Sequence, residues 1–488
     1  MRKEDSKVGS GGPFSPSVDR KAVQIELPFG DGSSDPASSV EGNRGHSSGA
    51  ATPVGEGGPK RRKWYSLYDK VFALKNLRQA WEKVKANGGA AGCDGETIAQ
   101  FGADAEGHLQ QLHEALREKR YRPRPVKRVE IPKPGGGVRR LGIPCVRDRV
   151  VQQAVLQVVG PIFEPLFSEC SHGFRPGRGC QSALELVDAA LRAGKEWVVD
   201  ADIARFFDTV DHELVLDGVH EEIKDGSVLR LIRALLQSGV LVEPGEVEPT
   251  ELGTPQGGPL SPLLANIYLH PLDQALSEAG FDLVRYADDF VIFTETQQRA
   301  EQALELVQTT LERLQLHLHP EKTRIGTLDQ GFEFLGYHYF RDPKGRLQKS
   351  VSSKSRQRFR DAIRKRTKRH AGQKRPKARR CTAARLQRNQ RVQAMVAGVN
   401  RYLRGWHGYF RGVRVTWSDY LKEFDGFVRR RLRCAISGRY AKGRWHQILS
   451  NDLFAQIGLL SLAHLQRARG PGPIPPPSSG YSGGSRVR

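Results

Sequence analysis

Two adjacent aspartates sit inside a strand-like run, Arg285-Tyr286-Ala287-Asp288-Asp289-Phe290-Val291-Ile292-Phe293, and few folds can accommodate them there. Residues 283–285 and 290–294 read as short strands, which places the acids in a turn between segments that belong in a core. Like charges held that close push one carboxyl pKa up, and removing them from water is costly unless a cation is present. A bare Asp-Asp pair is usually only a polar turn. The interpretation therefore depends on what else the chain supplies.

A second run supplies matching chemistry. Trp197-Val198-Val199-Asp200-Ala201-Asp202-Ile203-Ala204-Arg205-Phe206-Phe207-Asp208 places carboxylates at the end of another apolar strand. Two neighbouring strands ending in aspartates can converge on a pair of Mg²⁺ ions ~3.5–4 Å apart, the arrangement that in-line phosphoryl transfer needs. A third element is Gly253-Thr254-Pro255-Gln256-Gly257-Gly258-Pro259-Leu260-Ser261-Pro262. Its glycines would let the backbone approach a base pair, and Gln256 offers an amide to a nucleotide or template. The plainer alternative is a Gly/Pro loop that caps a helix through Ser261.

Around these runs the chain alternates without regular βαβ spacing, which predicts an α+β fold and not a doubly wound sheet. Helical periodicity is predicted over 68–84, where Val71, Leu74, Leu77, Trp81 and Val84 recur at three- and four-residue steps, and again over 105–119. Residues 128–143 read as a hairpin turning through Pro134 to Gly137, followed by a long apolar helix over 147–166. Further helices are predicted at 181–193, 212–223, 227–238, 261–278 and 297–315. From Val392 to Phe410 one apolar stripe runs along a helix, so Trp406, Tyr409 and Phe410 are core candidates and His407 a structural one. The six cysteines are scattered with no C-x-x-C pair, so neither a zinc site nor a disulfide framework can be read from spacing. No unbroken apolar run reaches 18 residues, which argues against a membrane span. With no secretory signal in the polar first ten residues, a cytoplasmic protein is expected.

Charge points to a polyanionic partner. The net charge is +23. Residues 354–391 hold seventeen Lys or Arg against the single acid Asp361, a net +16. Such a run can be a solvated face, but its place between foldable segments favours a nucleic-acid track. Arg364, Lys365, Arg366, Lys368 and Arg369, together with Arg429, Arg430 and Arg431, are the candidate RNA contacts.

Taken in order, the three runs resemble reverse-transcriptase motifs A (Asp202-Ile203-x-x-Phe206-Phe207-Asp208), B (253–262) and C (Tyr286-Ala287-Asp288-Asp289). Other runs resemble the enzymes encoded inside group II introns: Ile131-Pro132-Lys133-Pro134, Arg139-Arg140-Leu141-Gly142-Ile143-Pro144, His172-Gly173-Phe174-Arg175-Pro176-Gly177-Arg178, Glu321-Lys322-Thr323 and Phe334-Leu335-Gly336. Arg404-Gly405-Trp406-His407-Gly408-Tyr409-Phe410-Arg411 resembles their maturase region.

The resemblance implies a right-hand polymerase of fingers and palm with an antiparallel sheet, followed by an all-α thumb and maturase domain. It places fingers at 63–195, palm at 196–345 and the helical RNA-binding domain at 346–465, with disordered ends at 1–62 and 466–488. It implies that Asp202, Asp288 and Asp289 are catalytic and hold two Mg²⁺ ions. Phe207 would exclude a ribose 2′-hydroxyl, Lys133 and Arg139 would grip the triphosphate, and Gln256 would contact the nucleotide. Lys322 would act near the leaving pyrophosphate. Asp208 would orient structure, and Asp200 would be plain surface. The implied partners are group II intron RNA, a DNA target or primer, and dNTPs. The paired cysteines and histidines of the endonuclease found in many relatives do not occur, so second-strand nicking is not expected. Two other readings stay open: a splicing cofactor with a dead polymerase, and a reverse transcriptase adopted by its host.

Overall fold

The computed structural model describes residues 63–132, 138–243, 245–255, 257–368, 382–413, 417–437 and 444–468. These fall into two compact units, one ending at Ile325 and the other beginning at Gly326. That division lies inside the segment which the sequence assigns to the palm.

The first unit opens with helices Tyr68–Phe72, Leu74–Asn87, Ile98–Ala103 and Ala105–Arg117. The single helix predicted over 68–84 is broken at Ala73, whose ψ is 129°. No breaker residue stands there. Tertiary bonds hold the freed carbonyls: Asn76 Nδ2 donates to Val71 O at 3.0 Å, and His113 Nδ1 lies 2.8 Å from Phe72 O. Strands β1 (Val126–Pro132) and β2 (Val138–Ile143) then form the predicted antiparallel hairpin. The apolar helix Val146–Phe163 and the helix Cys180–Arg192 follow.

Next come β3 (Trp197–Asp202), a one-turn helix Phe206–Thr209, and helices His212–Glu222 and Gly226–Leu236. Strands β4 (Val240–Glu243) and β5 (Glu246–Glu248) extend the first hairpin into a sheet of order β2-β1-β4-β5. Helix Ser261–Glu278, β6 (Asp282–Tyr286), β7 (Asp289–Thr294), helix Gln297–Arg313 and β8 (Arg324–Thr327) complete the unit, β8 running across the boundary. The second sheet has the order β6-β7-β3-β8. In its interior strand β7, Phe290, Val291, Ile292 and Phe293 are all buried. Helices pack on the sheet, so these strands read as continuous apolar runs and not as an alternation.

The second unit starts with strands the sequence did not announce: β9 (Phe332–Phe334), β10 (Tyr337–Arg341) and β11 (Leu347–Val351), in the order β11-β10-β9. Because β11 lies within 346–465, that segment is not helical throughout; helix begins at Ser353. In β11, Gln348, Ser350 and Val351 are buried while Leu347 is only partly so, an inverted pattern that hides the strand from hydropathy. The helices are Ser353–Arg366, Ala383–Gln387, Gln390–Tyr409, Trp417–Ser437, Arg444–Ile448, Asn451–Gln456 and Leu462–Ala468. Phe359, Trp406, Phe410 and Phe424 form their buried aromatic centre, with Trp406 4.9 Å from Phe359, Phe410 and Phe424. His407 is buried and lies 3.0 Å from Gln466 Oε1, in a structural role.

Candidate active site

The antiparallel pairing of β3 with β7 sets Asp202 directly opposite Asp289. On the other side of β7, Tyr286 pairs with Asp289, which leaves Ala287 and Asp288 as the two-residue turn between β6 and β7. One sheet end therefore carries all three aspartates predicted to be catalytic. Burial pushes the Asp288 carboxyl up, and the Asp202 charge adds to this, while Arg139 and Arg285 pull it down. Arg139 itself is exposed on β2 and pairs with Ile131 in the hairpin. Lys133, Gln256 and Arg369 lie outside the described residues.

Lys322 is not free beside this edge. Its Nζ donates to Asp202 Oδ2 at 2.6 Å, an ion pair in which both side chains keep contact with solvent. Asp200, read from sequence as plain surface, is paired with Arg324 at 3.2 Å. Of the two consecutive phenylalanines, Phe206 is buried in the core while Phe207 is only partly so. Arg205, at φ +48°, makes the bend that separates β3 from their short helix.

The Gly/Pro loop binds motif A through backbone. Thr254 N–H donates to Phe207 O at 2.9 Å and Gly253 N–H to Val210 O at 2.7 Å. The Gly253 carbonyl lies 2.7 Å from Nε2 of buried His212. Local packing by itself already requires glycines in this loop. A Cβ on Gly253 (φ +86°) would lie 2.8 Å from Phe207 O, and one on Gly258 would lie 2.3 Å from Gln152 Oε1.

One residue of this site escaped the sequence reading. Arg285, within β6, is completely buried, and all five of its N–H groups are engaged. Nε donates to Asp273 Oδ1 at 2.6 Å, and Nη2 to Asp273 Oδ2 and, at 2.8 Å, to Ser171 Oγ. Nη1 donates to Asn266 Oδ1 at 3.1 Å and to the Ala287 carbonyl at 2.9 Å. Ala287 has φ +60°, so the guanidinium grips the strained residue that directly precedes Asp288. Burial opposes the charge most strongly, but the pairing with Asp273, with Cys170 and Asp288 adding to it, leaves the guanidinium pKa raised. An arginine directly after the apolar pair Leu283-Val284 is the available signal. Its partners, 12 and 114 residues distant, were not legible.

Known proteins share this organisation. Residues 131–339 match the family described as "Reverse transcriptase (RNA-dependent DNA polymerase)", and residues 378–453 match "Group II intron, maturase-specific domain". Protein YkfC of Escherichia coli is 34% identical, the match covering 51% of this chain and 76% of YkfC. The chain belongs to the group II intron reverse transcriptases. Group II intron-encoded protein LtrA of Lactococcus lactis subsp. cremoris is 39% identical over 40% of this chain, but the match spans only 32% of LtrA. Among solved structures, a chain of a partial Cas6-RT-Cas1--Cas2 complex is similar at 25% identity, covering 51% of this chain and 43% of that one, with a TM-score of 0.33.

In this reverse transcriptase the sheet end that carries Asp202, Asp288 and Asp289 offers carboxylate oxygens, the donors a hard divalent cation takes. Burial, with the Asp202 charge adding to it, disfavours the ionised form of Asp288, a cost that a bound divalent cation would offset, so the donor set fits magnesium. Among the described residues, no group of three or more His, Cys, Asp or Glu side chains is placed to hold an ion. The three aspartates share an edge without closing into a cage. No described helix is long and apolar enough to cross a membrane.

In the maturase unit the candidate RNA contacts divide. Arg364 pairs with Asp361 at 2.6 Å. Arg366 lies 4.4 Å over the Tyr402 ring, and Arg431 Nε donates to Thr367 Oγ1 at 3.4 Å. Lys365, Lys368 and Arg430 are exposed, and Arg429 is half-buried.

Proposed function

We propose that this chain copies group II intron RNA into DNA from a DNA primer, using dNTPs, and binds the same intron RNA to assist its splicing. The observation that carries the synthetic half is the pairing of Asp202 with Asp289 across β3 and β7, with Asp288 in the adjoining turn. Asp202 and Asp288 would hold two magnesium ions, with Asp289 supporting them from the paired strand. When bound, magnesium supplies Lewis-acid neutralisation of the phosphates and lowers the pKa of an attacking hydroxyl. Arg139, exposed on the hairpin, would bind the triphosphate together with Lys133. Lys322 would exchange Asp202 for the pyrophosphate, which requires only the breaking of a solvated ion pair, worth ~0–1 kcal/mol. Phe207 would exclude the 2′-hydroxyl, with its backbone held by Thr254. Gln256 would meet the nucleotide or template.

The splicing half rests on the exposed cations of the second unit, Lys365, Lys368 and Arg430. Primer extension on poly(rA)/oligo(dT) tests the synthetic half. Asp288→Asn keeps the shape and removes charge, and extension should fall by several orders of magnitude while the protein stays folded. Wild-type extension by that variant would refute the assignment.

A further inference from the structure

Among the described residues most large apolar side chains are covered, but Phe174 is 53% exposed, beside the turn that bears Asp288. Its backbone is also strained: φ is +61°, in the left-handed region, which favours Gly or Asn and in which a phenylalanine is rare. The neighbours on both sides explain how that conformation is held. His172 N–H donates to Arg285 O at 2.9 Å, and Arg285 N–H donates to Cys170 O at 2.9 Å, so the loop is bonded to the open edge of β6. Gly173 lies so close to the catalytic turn that a Cβ there would stand 2.3 Å from Ala287 N. Asn266 Nδ2 holds the Gly173 carbonyl at 2.9 Å. On the other side the buried Arg175 donates to Glu164 Oε1, Ser168 O and Ser171 O at 2.6–2.9 Å.

Two anchored residues thus hold an aromatic ring out in water. The Phe174 ring lies 6.5 Å from that of Tyr286, the last residue before the turn carrying Asp288. A half-exposed ring contributes little core burial, and asparagine would fit the backbone better. Folding stability therefore does not account for a phenylalanine here. An exposed, pre-positioned aromatic face is what a nucleic-acid base stacks on, and it does so whatever the base. The reacting primer end must come to the aspartates that follow Tyr286.

We propose that Phe174 is a stacking platform for one nucleotide of the bound primer–template, next to the catalytic turn. The proposal rests on the polymerase reading above. The ring confers affinity for the duplex without selecting sequence, and it takes no part in the chemistry.

The test uses the full chain with Phe174→Asn and Phe174→Trp. Fluorescence anisotropy with a labelled primer–template reads affinity without catalysis. Phe174→Asn should weaken binding on the order of ten-fold. Its Tm should stay the same or rise, since asparagine relieves the backbone. Phe174→Trp, which keeps a π-face, should restore affinity, and dNTP KM at saturating duplex should not move. An abasic scan then separates the strands: at the contacted nucleotide, removing the base weakens the wild type but not Phe174→Asn. A lower Tm with unchanged affinity would overturn the proposal and make the ring a packing element. Unchanged Tm and unchanged affinity would overturn it equally. A wild-type chain that binds duplex but extends no primer would refute the polymerase reading and leave the stacking result standing.

Discussion

Replacing Asp273 by Asn tests how the turn that bears Asp288 is held. Asp273 and Arg285 form an ion pair with both side chains fully buried, so neither charge has water to fall back on. Asparagine retains one oxygen for the guanidinium but turns the other contact into a donor facing a donor. Removing one member of a buried pair leaves an uncompensated charge and costs about 3–5 kcal/mol. In a unit of this size that should lower Tm on the order of 10 °C. Calorimetry on the full chain reads this directly.

Activity should fall as well, because the same guanidinium holds the Ala287 carbonyl at 2.9 Å and so sets the direction of Asp288. The double variant Arg285→Met with Asp273→Leu separates the two effects. It removes both buried charges, which is often neutral or stabilising, so Tm should rise above that of Asp273→Asn, short of the wild type because the buried acceptors of Asn266 and Ala287 lose their donor. The Ala287 carbonyl would still lack its donor, and kcat for primer extension should stay low while dNTP KM changes little. Recovery of both Tm and kcat in the double variant would refute the positioning role. An Asp273→Asn protein that melts within one degree of the wild type would refute the energetics.

Other consequences can be checked independently. Phe207→Ala should raise ribonucleotide incorporation in single-nucleotide extension assays with a modest loss of dNTP use; Phe206→Ala should instead lower Tm, since that ring is buried. Replacing Lys365, Lys368 and Arg430 by Gln should flatten the salt dependence of intron-RNA binding by about 0.7–0.9 units in slope for each phosphate left without its cation, and a filter-binding series at several salt concentrations reads that slope. The His172 imidazole is held down at about 4 by burial, with Arg178 and Arg175 adding to it. The unfolded chain therefore takes up this proton first. The stability that neutral His172 contributes is complete above about pH 6.5 and is lost as pH falls toward 4. On going from pH 7 to pH 5, wild-type Tm should fall further than that of His172→Gln, and equal falls would show that His172 does not titrate as a buried base.

Local patterning was enough for much of this protein. Apolar strands ending in aspartates, the pairing of β1 with β2 and the amphipathic stripe from Val392 each follow from residue type and period, because strands and helices impose periods of 2 and 3.6 on whatever is buried. The order of the motifs carried the family. Tertiary structure decided what depends on contacts distant in sequence. Phe206 enters the core beside Tyr268, and the Phe72 carbonyl freed by the helix break at Ala73 is met by His113, 41 residues away. The inverted burial of β11 follows from what packs against it. The glycines of 253–258 proved to accommodate protein backbone and the Gln152 amide, since any Cβ-free approach looks alike in sequence whatever lies opposite. Arg285 is the clearest case: a charge in a buried strand is tolerable only with every donor satisfied, and its acceptors come from a loop, a helix and a turn that meet only after folding.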